Sequence, residues 1–204
     1  MTSRMVSLSS ASIVAFLVAA LSTAHAQSPA DFPGDPDKSM ASAHESFVKG
    51  NMNKAADQIH KAAVYVKKEG DKVAKDSRAA VKKAGDDLDR LGKEVKKGTV
   101  KSGDQLKKTF AQVDHQLAAA WHKTADESRK AGRDSIPPLK NAAAALEGAA
   151  KWSGARLNDG AQASADGLRK VGQGVTLGAD EVGRFFTGIG EGLADVGRNL
   201  TGGR

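Results

Sequence analysis

Cysteine is absent from the 204 residues. That excludes disulfides, lipid attachment at an N-terminal Cys, thiol catalysis, zinc–thiolate centres and a Cys-x-x-Cys-His haem attachment. Aromatic residues make up only 4% of the chain, too few for a thick globular core, so seams of Ala and Leu along slender helices fit better. Proline is missing between Pro36 and Pro137, and helices there meet no obligatory breaker. Charge of one sign is also lacking, with 31 basic against 24 acidic residues. Such a mixed surface is a solvated one, and no nucleic-acid partner is expected. The apolar run within the first 26 residues is too short for a comfortable membrane span and no other run of 18 apolar residues exists, so no membrane span is expected.

Those first 26 residues have the form of an export signal. Arg4 gives the positive start, Ala11 to Leu21 the apolar core, and Ala24-His25-Ala26 a small-x-small cleavage site before Gln27. The expectation is a periplasmic or secreted protein. Residues 27–35, with Pro29, Pro33 and Gly34, form a leader.

What is present is a repeat. From Lys61 to Asp126 the chain divides into elevens: KAAVYVKKEGD, KVAKDSRAAVK, KAGDDLDRLGK, EVKKGTVKSGD, QLKKTFAQVDH, QLAAAWHKTAD. The second place is apolar throughout: Ala62, Val73, Ala84, Val95, Leu106 and Leu117. The sixth holds Val66, Leu88, Phe110 and Trp121, and the ninth Ala80, Leu91 and Val113. Eleven residues make three turns at about 3.67 per turn, so the slots stay in line along a helix. The stripe is narrow. Such a helix cannot bury itself and must lie against another helix or a membrane surface.

Punctuation divides the helices. Asp35-Pro36 can start one, Ser42 with Glu45 offers a second capping box, and Gly50-Asn51 supplies a left-handed stop and a new cap. Met52 to Lys97 can run unbroken, about 69 Å at 1.5 Å per residue. Gly98 to Gly103 is the weak point, where Ser102 and Gln105 form a capping box; a break with an antiparallel return is favoured over one rod. Ile136-Pro137-Pro138 is the hard stop, with Ser135 as cap for the next helix.

Beyond it the period changes. Leu157, Ala161, Ser164, Leu168, Val171 and Val175, then, after one slip, Ala179, Val182, Phe186, Ile189, Leu193, Val196 and Leu200 step by fours and threes. This heptad seam predicts helix from Leu139 to about Leu200, with a break near Gly172 to Gly178 because interior glycines weaken a helix. Gly188 and Gly192 have the spacing that lets helices approach closely; in a charged, soluble segment we read it as incidental.

Candidate chemistry is sparse. His44 and His60 lie on opposite arms of the first hairpin, with Met40 one turn before His44 and Met52 near the turn. This His/Met set could hold copper or a haem iron; the blander reading is surface or seam-edge histidine. His115 and His122 are seven apart, about 10 Å along a helix and too far to share a metal. Asp86, Asp87 and Asp89 sit in a lysine-rich helix and read as a solvent face. Gly172-Gln173-Gly174 follows no strand, which argues against a phosphate loop. Phe110 and Trp121 read as seam residues; Phe185-Phe186 could anchor a membrane or partner, with packing in the last seam the favoured reading. No catalytic set emerges, and no enzyme is expected.

The order Ala43, Phe47, Gly50, Ala55, Ile59, Ala62 resembles a tetratricopeptide-type hairpin. The 34-residue period does not return, so the resemblance implies a tight αα-hairpin and not a peptide-binding array. The lysine-flanked elevens, with turns such as Lys68-Glu69-Gly70-Asp71 and Lys82-Lys83-Ala84-Gly85, resemble the repeats of late-embryogenesis-abundant proteins and exchangeable apolipoproteins. That resemblance implies loosely packed amphipathic helices that fold on membranes or during drying.

The reading is an all-α protein: an elongated antiparallel helical bundle over 36–133 and a Gly-interrupted helical region over 134–204. Its expected role is structural or stress-protective, through envelope proteins or an anionic membrane surface. The last seam could also drive homo-oligomerisation.

Overall fold

The computed structural model describes residues 36–171 and 177–202. The signal, the leader, Asp35 as a cap and most of the break foreseen at 172–178 lie outside the described residues. Inside them the chain is all-helical, with seven α-helices packed on one another. These are α1 (Pro36–Val48), α2 (Met52–Glu69), α3 (Arg78–Lys96), α4 (Gly103–Lys130), α5 (Ile136–Ser153), α6 (Asp159–Val171) and α7 (Ala179–Leu200). A single 3-10 turn at Lys75–Ser77 leads into α3. Successive helices pack side by side, and α4 is the hub, touching α1, α3, α5 and α7.

The eleven-residue stripe is the core. Every apolar slot named above is buried except Ala80. One continuous apolar cluster links Met40 and Phe47 through Leu88, Phe110 and Leu146 to Ile189 and Val196, so residues on both sides of 133/134 share it. The stripe does not lie on a single rod, however. An unbroken helix from Met52 to Lys97 is overturned: α2 ends at Glu69 and α3 starts at Arg78. The intervening loop is itself docked. Val73 and Ala74 are buried, Ala74 donates its N–H to Thr124 Oγ1 at 2.7 Å, and Lys123 pairs with Asp76 at 3.0 Å. Because the loop keeps its apolar residues inward, the sequence phase survives a break in the helix.

The antiparallel return at 98–103 is present. Gly98 has φ +69°, which a residue without a Cβ adopts at no steric cost, and its N–H reaches Val95 O while Thr99 N–H reaches Glu94 O. The same paired closure follows α1 and α4. Ser102 caps α4, its hydroxyl accepting from Gln105 N–H. Ser102→Ala should lower the unfolding free energy by about 1 kcal/mol, read as a lower urea midpoint with an unchanged slope.

Other boundaries differ from expectation. Neither Asn51 nor Ser135 makes a side-chain cap; Asp134 Oδ1 accepts from Ile136 N–H instead. Ser42 and Glu45 lie inside α1, where Glu45 pairs with Lys49. The expected helix from Leu139 to Leu200 is interrupted at Gly154 to Asn158 as well, where Gly154 (φ +71°) ends α5 and Asn158 Oδ1 accepts from Ala161 N–H at the start of α6.

Glycine sets the close approaches. A Cβ on Gly85 would sit 2.5 Å from Lys67 Cγ, so the lysine stem crosses α3 there and its ammonium reaches Asp86 at 2.6 Å and Asp89 at 2.7 Å. His60 Nδ1 is also 2.8 Å from Asp89. Burial pushes the Asp89 carboxyl up, but the hydrogen bonds with Lys67 and His60 together hold it below its ordinary range.

At the α6–α7 crossing, the reading of Gly188 and Gly192 as incidental is corrected. A Cβ on Gly188 would meet Ser164 Oγ and, at 2.5 Å, Gly160 O. One on Gly192 would lie 2.6 Å from Ala161 Cβ and 2.8 Å from Leu146 Cδ2. Their Cα faces are the contact surface.

Candidate functional site

The histidines singled out by sequence are each engaged. His60 is exposed and faces α3 through Asp89, whereas His44 lies over the start of α4 and 6.0 Å from the Trp152 ring. The structure therefore keeps the two apart. Burial is the main cause, and Lys107 the next, of a His44 pKa below its ordinary value. Met40 is fully buried and Met52 half-buried. Among the described residues no three His, Asp or Glu side chains gather as a metal would require.

His115 and His122 act as a pair in a different sense. His115 Nε2 donates to Leu193 O at 3.0 Å and His122 Nε2 to Phe186 O at 3.1 Å. The seven-residue step on α4 thus meets an equal, opposite step on α7. Gly197 gives the His115 ring its room, since a Cβ there would lie 3.0 Å from Nε2, whereas a Cβ on Gly190 would make ordinary contact 3.7 Å from His122 Nε2. Each of these glycines stands four residues after the carbonyl that the histidine engages, so the carbonyl is open from the side. The two bonds fix the register of α7 on α4.

That register brings the end of α7 to one end of the bundle, where α4 begins and α5 stops. Between them lies a cavity of about 620 Å³. Asp104, Lys107 and Lys108 enter from the first turns of α4, Lys151 to Gly154 from the end of α5, and Asn199 to Gly202 from the end of α7. Trp152 is the fixed post of this wall. Its ring meets Phe110 edge-on at 5.1 Å, its Nε1 donates to Asp37 Oδ1 at 2.8 Å, and the Lys151 ammonium lies 5.0 Å above it. Lys107 pairs with Asp104 at 3.5 Å. Part of the work of these lysines is structural, because cations next to the ends of α5 and α7 complement the helix dipoles. The lining still carries three lysines against one aspartate.

A turn back along α5, Glu147 is drawn into an ion pair with Arg169 of α6 at 2.5 Å. Burial raises its carboxyl above the ordinary range, outweighing Arg169, with Asp166 and Asp37 adding to the rise. A raised folded-state pKa contributes stability below the unfolded value and loses it as pH rises through the folded one. Glu147→Gln should therefore be less damaging, relative to the parent, at pH 7 than at pH 4; parallel urea titrations at the two pH values read the sign.

Sequence reasoning missed Trp152, Lys108 and Lys151. Their convergence comes from segments about fifty residues apart, and the one local clue was Glu147 four residues before Lys151, an i,i+4 pair that Arg169 takes over. No protein-family model, curated protein or solved structure matches the chain. No described helix is long and apolar enough to cross a membrane.

Proposed function

We propose that this is an exported, non-enzymatic bundle with a structural or protective role, which docks in its folded form on an anionic membrane surface of the envelope. The observation that carries this reading is the basic end of the bundle. Lys93, Lys96, Lys97, Lys101, Lys107 and Lys108 stand against Glu94 and Asp104 in the segment that closes α3 and opens α4, and Lys151 joins them. The apolar faces, by contrast, are used internally. Among the described residues the exposed large hydrophobic side chains are Val48, Val64 and Tyr65, too scattered to insert as a stripe. Attraction is then electrostatic.

Each lysine near an anionic leaflet contributes about 1 kcal/mol. Reversing Lys96, Lys97 and Lys101 to Glu together should weaken binding to vesicles rich in anionic lipid at least a hundredfold at low salt. Co-sedimentation with anionic and with neutral vesicles checks this. Parent protein that binds neither, or that binds anionic vesicles equally well in half-molar salt, contradicts the reading. Capture of an acidic envelope protein without vesicle binding would shift the partner from lipid to protein.

A further inference from the structure

We infer that the cavity between α4, α5 and α7 is a ligand site for a phosphorylated polyol, and that its occupation tightens α7 on the bundle. The inference rests on the proposed docking of this basic end and names the chemical group the end would recognise. Lys107, Lys108 and Lys151 supply the positive charge. At about 620 Å³ the space exceeds what a bare ion fills and falls within the usual size of small-molecule sites. Its lining departs from those sites in kind, since Trp152 and Leu200 are the large apolar members and Ser153, Asn199 and Thr201 join the lysines in it. An apolar ligand is disfavoured.

Helix polarity sharpens the choice. α4 begins at the cavity and presents the positive end of its dipole, while α5 and α7 both finish there and present negative ends. A bare anion would be attracted by the lysines and repelled by two helix termini. A molecule with one anionic group and several hydroxyls satisfies both, its phosphate set toward the lysines and its O–H groups donating toward the α5 and α7 ends. Glycerol phosphate is the smallest such unit, either as a soluble polyol phosphate or as the headgroup of a lipid.

The α7 wall is seated by the His115–Leu193 and His122–Phe186 bonds. A ligand bridging Lys151 to Asn199 adds a third tie beyond these two, so binding should be visible along the last two turns of α7.

The test titrates the full chain with glycerol phosphate, with inorganic phosphate (charge without hydroxyls) and with glycerol (hydroxyls without charge), followed by calorimetry and by amide hydrogen exchange. Glycerol phosphate should bind saturably and at least tenfold more tightly than either control, and should slow exchange from Leu193 to Leu200. Lys151→Gln and Asn199→Ala should each weaken it at least fivefold while the helical spectrum stays unchanged. Competition by phosphatidylglycerol vesicles but not by phosphatidylserine vesicles would assign the lipid as source; no competition by either would assign the soluble polyol. Equal affinity for inorganic phosphate, no saturable binding, or indifference to Lys151→Gln overturns the site. Vesicle docking that persists beside such a failure leaves the docking proposal standing, whereas absent docking with intact glycerol phosphate binding removes that proposal alone.

Discussion

Gly188→Ala should destabilise the protein by about 2 kcal/mol, although alanine is the better helix former by roughly 1 kcal/mol. The added methyl has no room. It would stand against Ser164 Oγ, 2.5 Å from Gly160 O and 2.9 Å from Gly160 C, and the last two belong to backbone that cannot swing aside. Helices α6 and α7 must therefore separate, which loosens the packing of buried Ile189 and Val196. For a chain of this size the loss corresponds to a melting temperature lower by about 4–8 °C. Gly183→Ala is the internal control. It lies in the same helix with nothing within 4 Å of its Cβ position, so the substitution should stabilise by about 0.5–1 kcal/mol. Similar shifts for the two variants would mean that the α6–α7 contact does not exist in solution.

Trp152→Ala should have the largest effect of any single change at the basic end, about 4 kcal/mol. The indole is only 8% exposed and fills the space between Phe110, His44 and Lys151. Its loss opens a cavity and also takes the Nε1 donor from buried Asp37. Trp152→Phe separates these contributions. It keeps most of the ring volume and removes the donor, for a loss of about 1.5–3 kcal/mol. Chemical denaturation of both variants, followed through the remaining Trp121, measures each part. If Trp152→Phe cost nothing, the hydrogen bond to Asp37 would contribute nothing to the native state.

The sequence made most of the helices legible because their apolar stripe is read by a single core. Val66, Leu88, Phe110 and Trp121 share one slot of the repeat and are all buried. The stops at Gly50 and Gly98 were equally plain, because each rests on local backbone chemistry. The hard stop expected at Ile136-Pro137-Pro138 is corrected: α4 already closes at Gly132 (φ +65°), and the two prolines sit in the first turn of α5, where their missing N–H groups cost nothing. What periodicity could not show was whether the chain between two in-phase segments stays helical. Around Val73 and Ala74 it does not: the loop turns its apolar residues inward and mimics the next turn of a helix. The eleven-residue resemblance to proteins that fold on demand carried over the stripe and missed that this stripe is satisfied within the chain. Gly188 looked incidental because a glycine's contact surface is its absence of side chain, which only a neighbour such as Gly160 reveals. The seven-residue spacing of the α4 histidines was legible, yet their use as keys for Phe186 and Leu193 depends on a helix more than sixty residues away. The basic cavity was illegible for the same reason of distance.

Hydrogen exchange of the α4 core amides, from Phe110 to Trp121, during saturating binding to anionic vesicles tests most directly whether the bundle acts closed. Phe110, Leu117 and Trp121 lie in the shared core, so their protection reports the integrity of the whole assembly. The closed-bundle account predicts that these amides exchange as slowly on the membrane as in free solution, with changes confined to the lysine-rich end. Rapid exchange throughout α4 on binding would show that the helices open to turn their apolar stripe onto lipid, and would contradict it.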